Sequence, residues 1–194
     1  ETAWGVCQFR QAAKELGLIT PEERTRRLDA LLGTLAPLPL FRGELPNTAY
    51  NTRTAQPTNY ANDPGEIGFS AIDLGRLLIW LRIAKERSPD HAAAIDRVVA
   101  RWRFDHVLDA TGTMFGAHVR PDRSTQYLQE GRLGYEQYAA AGYQLWGFPA
   151  TRAAKIPACH TLAIFGVDVP YDARDPKDYG GAHTYVVSEN YILD

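Results

Sequence analysis

The stretch Ser70-Ala71-Ile72-Asp73-Leu74-Gly75-Arg76-Leu77-Leu78-Ile79-Trp80-Leu81-Arg82-Ile83-Ala84-Lys85-Glu86 decides how the chain is read. Ser70 supplies an N-cap and Asp73 a first-turn carboxylate, after which Leu74, Leu77, Leu78, Leu81 and Ile83 recur at helical spacing. The apolar face is wide, so the segment predicts a mostly buried helix. Ser88-Pro89 then caps a further helix, expected from Asp90 to about Val107 and carrying Ile95, Val98, Val99, Trp102 and Phe104. Two helices joined by so short a turn make an αα-hairpin.

The same layout lies upstream. A helix is expected from about Ala3 to Leu16, with Gly17 as its stop. Thr20-Pro21 and Glu23 form a capping box that opens the next, with Leu28, Leu31, Leu32 and Leu35 on one stripe. From residue 40 to residue 69 the helical pattern dissolves into Gly, Pro and Asn, a length that points to an ordered functional loop. Downstream, 109–130 reads as a Thr-Gly turn and a small hairpin, Leu133 to Trp146 as a helix, and Thr161–Val169 and Tyr185–Ser188 as strand-like runs. Helix, short turn, helix and long polar loop thus occur twice. The expected fold class is all-α, a partial α/α-toroid-like array of helical hairpins with long loops and minor β-hairpins, in one domain over 1–194. The long loops are expected to emerge at one end and form a cleft.

Composition narrows the partners. In 194 residues, 45% are apolar and 23% charged, and 21 Lys+Arg against 23 Asp+Glu leave a net charge of −2. That balance, without a basic block, offers no footprint for nucleic acid or an acidic membrane surface. No stretch approaches the about 20 apolar residues of a membrane helix, and Glu1-Thr2-Ala3-Trp4 lacks the pattern of a signal peptide. Cys7 and Cys159 fit either one bridge or two free thiols. The five histidines show no metal-ligand spacing, and no phosphate loop, dinucleotide fingerprint or nucleophile elbow is present, so no metal and no cofactor is expected.

The chemistry concentrates in the segment Gln129-Glu130-Gly131-Arg132-Leu133-Gly134-Tyr135-Glu136-Gln137-Tyr138. Two carboxylates at a loop-to-helix junction suit glycoside hydrolysis, which needs a proton donor and usually a second carboxylate. Glu130, expected near the positive end of its own helix, suits binding or a base role. Glu136, expected further inside the helix, suits the acid through desolvation. Asp73 is the other candidate for the assisting carboxylate, and its default reading is a helix-capping residue. All ten tyrosines lie at or after Tyr50, several in the long loops, where an aromatic face with a polar tip suits sugar rings. Tyr50, Asn51, Arg53, Arg76, Arg132 and Tyr135 are therefore the candidate substrate contacts. A Glu130–Arg132 ion pair with a solvated Glu136 would account for the same residues without function.

Several segments together resemble the bacterial domain-of-unknown-function family 3131. They are Leu38 through Asn47, Tyr50-Asn51-Thr52-Arg53-Thr54, Gly65 through Leu78, Gln129 through Tyr138, and Val187-Ser188-Glu189-Asn190-Tyr191. The chain is also distantly similar to the glycoamylase-like domains of cyclic glucan synthases, in which an Asn/Asp-Thr-Arg loop precedes a Ser and an Asp opening a helix, as Asn51-Thr52-Arg53 precedes Ser70 and Asp73. The resemblance implies an α/α-toroid and polysaccharide-related work in the bacterial periplasm or at the cell exterior. It also implies that Thr2-Ala3-Trp4 is the middle of a family motif and that Asn190 to Asp194 stops where family members continue. On that basis the chain is an excised portion, expected to meet the remainder of a parent protein or another chain that completes the ring.

Two functions are carried forward. The first is a glycoside hydrolase or transglycosylase-like domain acting on a bacterial glucan or exopolysaccharide. The second is a non-catalytic polysaccharide-binding or assembly module. A purely structural helical repeat explains the hairpins but not the Tyr, Glu and Arg clustered in loops.

Overall fold

The computed structural model describes residues 11–174. Residues 11–15 are helical, and Gly17, with φ of +69°, turns the chain so that the Leu18 N–H reaches back to Ala13 O at 2.8 Å. Helix α1 (Pro21–Leu35) begins where Thr20 Oγ1 accepts from the Glu23 N–H. Glu23 spends its own carboxylate on Arg26 and Arg27, so only half of the capping box forms. Strands β1 (Leu40–Phe41) and β2 (Leu45–Pro46) pair as a hairpin. After β3 (Gly68–Phe69) comes α2 (Ala71–Arg87), whose N-cap Ser70 accepts from the Asp73 N–H as its sequence requires. A 3-10 turn at Pro89–His91 leads into α3 (Ala92–Ala100). Then follow β4 (Phe115–Val119), β5 (Thr125–Gln129), α4 (Tyr135–Leu145), β6 (Cys159–Ile164) and β7 (Val167–Asp172).

The all-α, toroid-like expectation is corrected. Of the described residues 37% are helical and 21% extended, with three antiparallel sheets, β1-β2, β3-β4-β5 and β6-β7. Parts of the segments read as loops pair as strands, at both ends of 40–69 and through β4 and β5. β3 is only two residues long and finds its partner far along the chain, Gly68 opposite His118 and Phe69 opposite Ala117. Its approach is so close that a Cβ on Gly68 would lie 1.8 Å from Ala117 O, and φ there is +117°, so glycine alone fits. Helix α3 also ends at Ala100, before the expected Val107. Trp102 and Phe104 still join the core, but the Arg103 N–H donates to Glu44 O at 3.0 Å instead of continuing the helix. The Tyr185–Ser188 strand and most of the first helix lie outside the described residues.

The core runs between the helices, and α2 packs most extensively on α4. Gly75 and Gly142 permit that contact, since a Cβ on Gly142 would stand 1.9 Å from Gly75 O. Asn47, almost fully buried, fixes the long 40–69 segment. Its Oδ1 accepts from the Ile67 and Gly68 N–H groups at 2.9 and 3.3 Å, while its Nδ2 donates to Ala49 O at 2.7 Å. Cys159 is a free, exposed thiol, and Cys7 lies outside the described residues. Among the described residues no helix is long and apolar enough to cross a membrane.

Candidate functional site

Sheet β3-β4-β5 brings the end of one loop to the start of α2. β3 runs into the Ser70 cap, β4 lies beside β3, and the chain leaving β5 returns Glu130 to the same place. There Glu130 Oε1 accepts from Ser70 Oγ at 2.7 Å and Oε2 from the Ala71 N–H at 2.6 Å. Ser70 Oγ also accepts from the Asp73 N–H at 3.1 Å, so one hydroxyl joins the helix cap to the carboxylate. Gly116 provides the seat, because a Cβ there would stand 2.2 Å from Glu130 Oε2.

Burial pushes the Glu130 carboxyl up to about 7, and the negative charge of Asp73 adds to this, against the hydrogen bonds from Ser70 and Ala71 that favour the charged form. Beneath it, the fully buried Tyr143 donates to Ala71 O at 2.7 Å. Burial holds the Tyr143 phenol well above its ordinary value, and the charges of Glu130 and Asp73 act in the same direction.

Glu130, Asp73, Ser70, Thr48, Tyr60 and His118 line a pocket of about 460 Å³ together with Ile67, Phe69 and Val119. Tyr60 is 85% exposed at this pocket, leaving a ring face open for stacking. Thr48, Ser70 and Asp73 also line a second, adjoining groove of about 640 Å³ between α1, α2 and the segment 46–55.

The sequence profile of DUF3131, described as protein of unknown function, matches residues 2–194. The chain belongs to the DUF3131 family. No curated protein matches it. Among solved structures it is similar to a provisionally assigned glucoamylase from Bacteroides fragilis, with a TM-score of 0.51 and 17% identity over 87% of this chain and 43% of that one. At this identity the likeness is one of fold, and the DUF3131 chain spans less than half the length of that protein.

The candidates named from the DUF3131 sequence divide into three groups. Glu130 and Asp73 share the carboxylate pocket. Tyr50 and Asn51 line the adjoining groove, but their polar atoms are engaged within the chain. Tyr50 Oη accepts from the Asn47 N–H at 2.7 Å and donates to Pro39 O at 2.6 Å, while Asn51 Oδ1 accepts from the Arg53 and Thr54 N–H groups, each at 3.0 Å. Burial raises the Tyr50 phenol to about 12. Arg53 stands exposed on that turn and lines neither pocket.

The remaining candidates sit apart from both cavities. Arg76 is buried in α2. Arg132 is 1% exposed and donates to Gln129 Oε1 at 2.7 Å and Gly131 O at 2.6 Å. Tyr135 begins α4. Glu136 is the second residue of α4, 3% exposed, and pairs with Arg174 at 2.6 Å, close to Asp172. Burial raises its carboxyl despite that pairing. Ser70 as a carboxylate partner, and His118 and Thr48 as pocket walls, are absent from the sequence-based candidates. Tyr60 is legible as one of the stacking groups that the long 40–69 segment carries. The Ser70–Glu130 contact spans 60 residues and has no local one. Among the described residues no group of three His, Cys, Asp or Glu side chains is placed to hold a metal ion.

Proposed function

We propose that the chain is a glycoside hydrolase-like, carbohydrate-active domain in which Glu130 is the proton donor and Asp73 the assisting carboxylate. The observation that carries this reading is a buried carboxyl, pushed up to about 7 by that burial, beside a second carboxylate in a pocket of sugar-binding size. A group of that kind is about half protonated at neutral pH, ready to give its proton to a glycosidic oxygen as the bond to the anomeric carbon breaks. Asp73, exposed in the same pocket, faces the positive charge that develops on the sugar ring. Tyr60 supplies the stacking face.

The fold likeness to a provisionally assigned glucoamylase supports a glycan as the substrate. Glu136, held by Arg174 away from the pocket lining, serves the scaffold in this reading. The test is reducing-end release from a panel of glucans and exopolysaccharides, with binding measured in parallel. Glu130→Gln keeps shape and hydrogen bonding but removes the transferable proton, so turnover is expected to fall by about 10²–10⁴-fold while affinity stays within a few-fold. Wild-type activity should decline as pH rises through about 7. Binding without turnover in the wild type would make the chain a polysaccharide-binding module instead.

A further inference from the structure

The groove beside the carboxylate pocket is built for something other than a sugar. Its floor is Leu31, Leu35, Leu38, Leu74 and Leu77, contributed by α1, α2 and the link between α1 and β1. Sugar subsites need unspent hydrogen-bonding groups, because burying hydroxyls without partners is costly. Three of the polar side chains at this groove are already spent within the chain. Asn47 holds four backbone groups of its own loop, the Tyr50 hydroxyl both accepts and donates within the chain, and the Asn51 amide is divided between its own turn and Asn62. Most of what faces the cavity is hydrocarbon, and its volume of about 640 Å³ is within the range of a small-molecule site. The groove is continuous with the carboxylate pocket, since Thr48, Ser70 and Asp73 form walls of both. A ligand whose polar end reaches Glu130 from this side must therefore lay its other end on the leucines.

We infer that the groove holds the alkyl chain of an amphiphilic glycoside, a glycolipid-like substrate whose sugar occupies the Ser70–Asp73–Glu130 pocket. The sugar half of this inference rests on the function proposed above, whereas the alkyl half stands on the groove alone. Continuity with the pocket favours a chain attached to the sugar over a second protein copy, and the engaged Asn47, Tyr50 and Asn51 side chains disfavour a second sugar.

The test uses methyl, butyl, hexyl and octyl glucosides as probes, each below its micelle-forming concentration, with dissociation constants measured by calorimetry on the full chain. Each methylene entering the groove is expected to tighten binding about three- to fourfold. Thr34→Trp at an exposed position of α1, and separately Thr52→Trp on the exposed rim, place an indole in the groove and should flatten the dependence on chain length. Equal affinity for methyl and octyl glucoside in the wild type would overturn the inference, as would a dependence that survives in both tryptophan variants. Wild-type turnover separates the two readings. A chain-length dependence in a wild type that hydrolyses no glycan supports the groove and removes the acid chemistry. Hydrolysis of unsubstituted oligosaccharides without chain-length dependence does the reverse.

Discussion

Glu130 shows how one side chain can be both well bonded and uncomfortable. Its two oxygens accept from Ser70 and Ala71 at the start of α2, where helix geometry favours an anion, yet burial dominates and the carboxyl rises from an ordinary 4.5 to about 7. A raised carboxyl binds its proton more tightly in the folded state than in the unfolded one. The stability it contributes is present below about pH 4.5 and is lost as pH rises through about 7. Glu130→Gln, which never ionises, should therefore melt close to wild type at pH 4 and above it at pH 8. The gap should approach about 3 kcal/mol, on the order of the shift converted at about 1.4 kcal/mol per unit. A gap that does not widen with pH would mean that Glu130 titrates normally. Gly116 tests the same carboxylate from the other side. Gly116→Ala drives a methyl to 2.2 Å from Oε2, so the carboxylate must leave its seat. Turnover should fall at least 10²-fold while thermal stability drops by about 1–3 kcal/mol.

The helices were the legible elements because their signals are local. Thr20-Pro21 and Ser70 cap α1 and α2 as their sequences dictate, and the expected fifth helix matches α4 closely. The strands were harder, since β3 is two residues whose partner lies in another segment, and apolar spacing alone could not tell that Trp102 and Phe104 follow the end of α3. The close contact of α2 with α4 was also invisible, although its residues were in view. Gly75 and Gly142 each weaken a helix by about 1 kcal/mol relative to alanine, so propensity alone would favour replacing them. Packing reverses that preference, because a Cβ at 142 meets Gly75 O at 1.9 Å and one at 75 meets Ala139 O at 2.5 Å. Backbone atoms cannot swing aside as a side chain can. Gly142→Ala is therefore expected to destabilise by about 3 kcal/mol in urea unfolding, despite its gain in helix propensity. An alanine variant as stable as wild type would show that the two helices can separate without loss.

At the scale of the whole molecule, Asp73, Glu130, Arg132 and Glu136, all singled out by sequence, belong to two different places. Ser70, Asp73 and Glu130 form the pocket, whereas Arg132 and Glu136, only a few positions further on, belong to the joint that fastens the β6-β7 hairpin to α4. Proximity along the chain could not separate them, because the partner that claims Glu136 is Arg174, beyond the hairpin. Arg174 bridges Glu136 and Asp172, both at 2.6 Å, and Asp172 accepts from the Leu133 N–H at 2.8 Å. Burial works against the Asp172 carboxylate, but Arg174 and the Leu133 and Arg174 N–H groups together hold it below its ordinary range. Its stabilising share is thus present above the ordinary Asp value and lost as pH falls through the lowered one. Removing the cation alone leaves two carboxylates at 3% and 0% exposure facing each other. Arg174→Met should then cost about 3–5 kcal/mol, measured by urea unfolding at pH 7, and the loss should shrink as the acids protonate on going to pH 4. Neutralising the whole joint in Glu136→Gln/Asp172→Asn/Arg174→Met is expected to recover most of that loss, because no buried charge is left unpaired. Equal instability of the single and triple variants, independent of pH, would instead assign the loss to packing of the Arg174 stem.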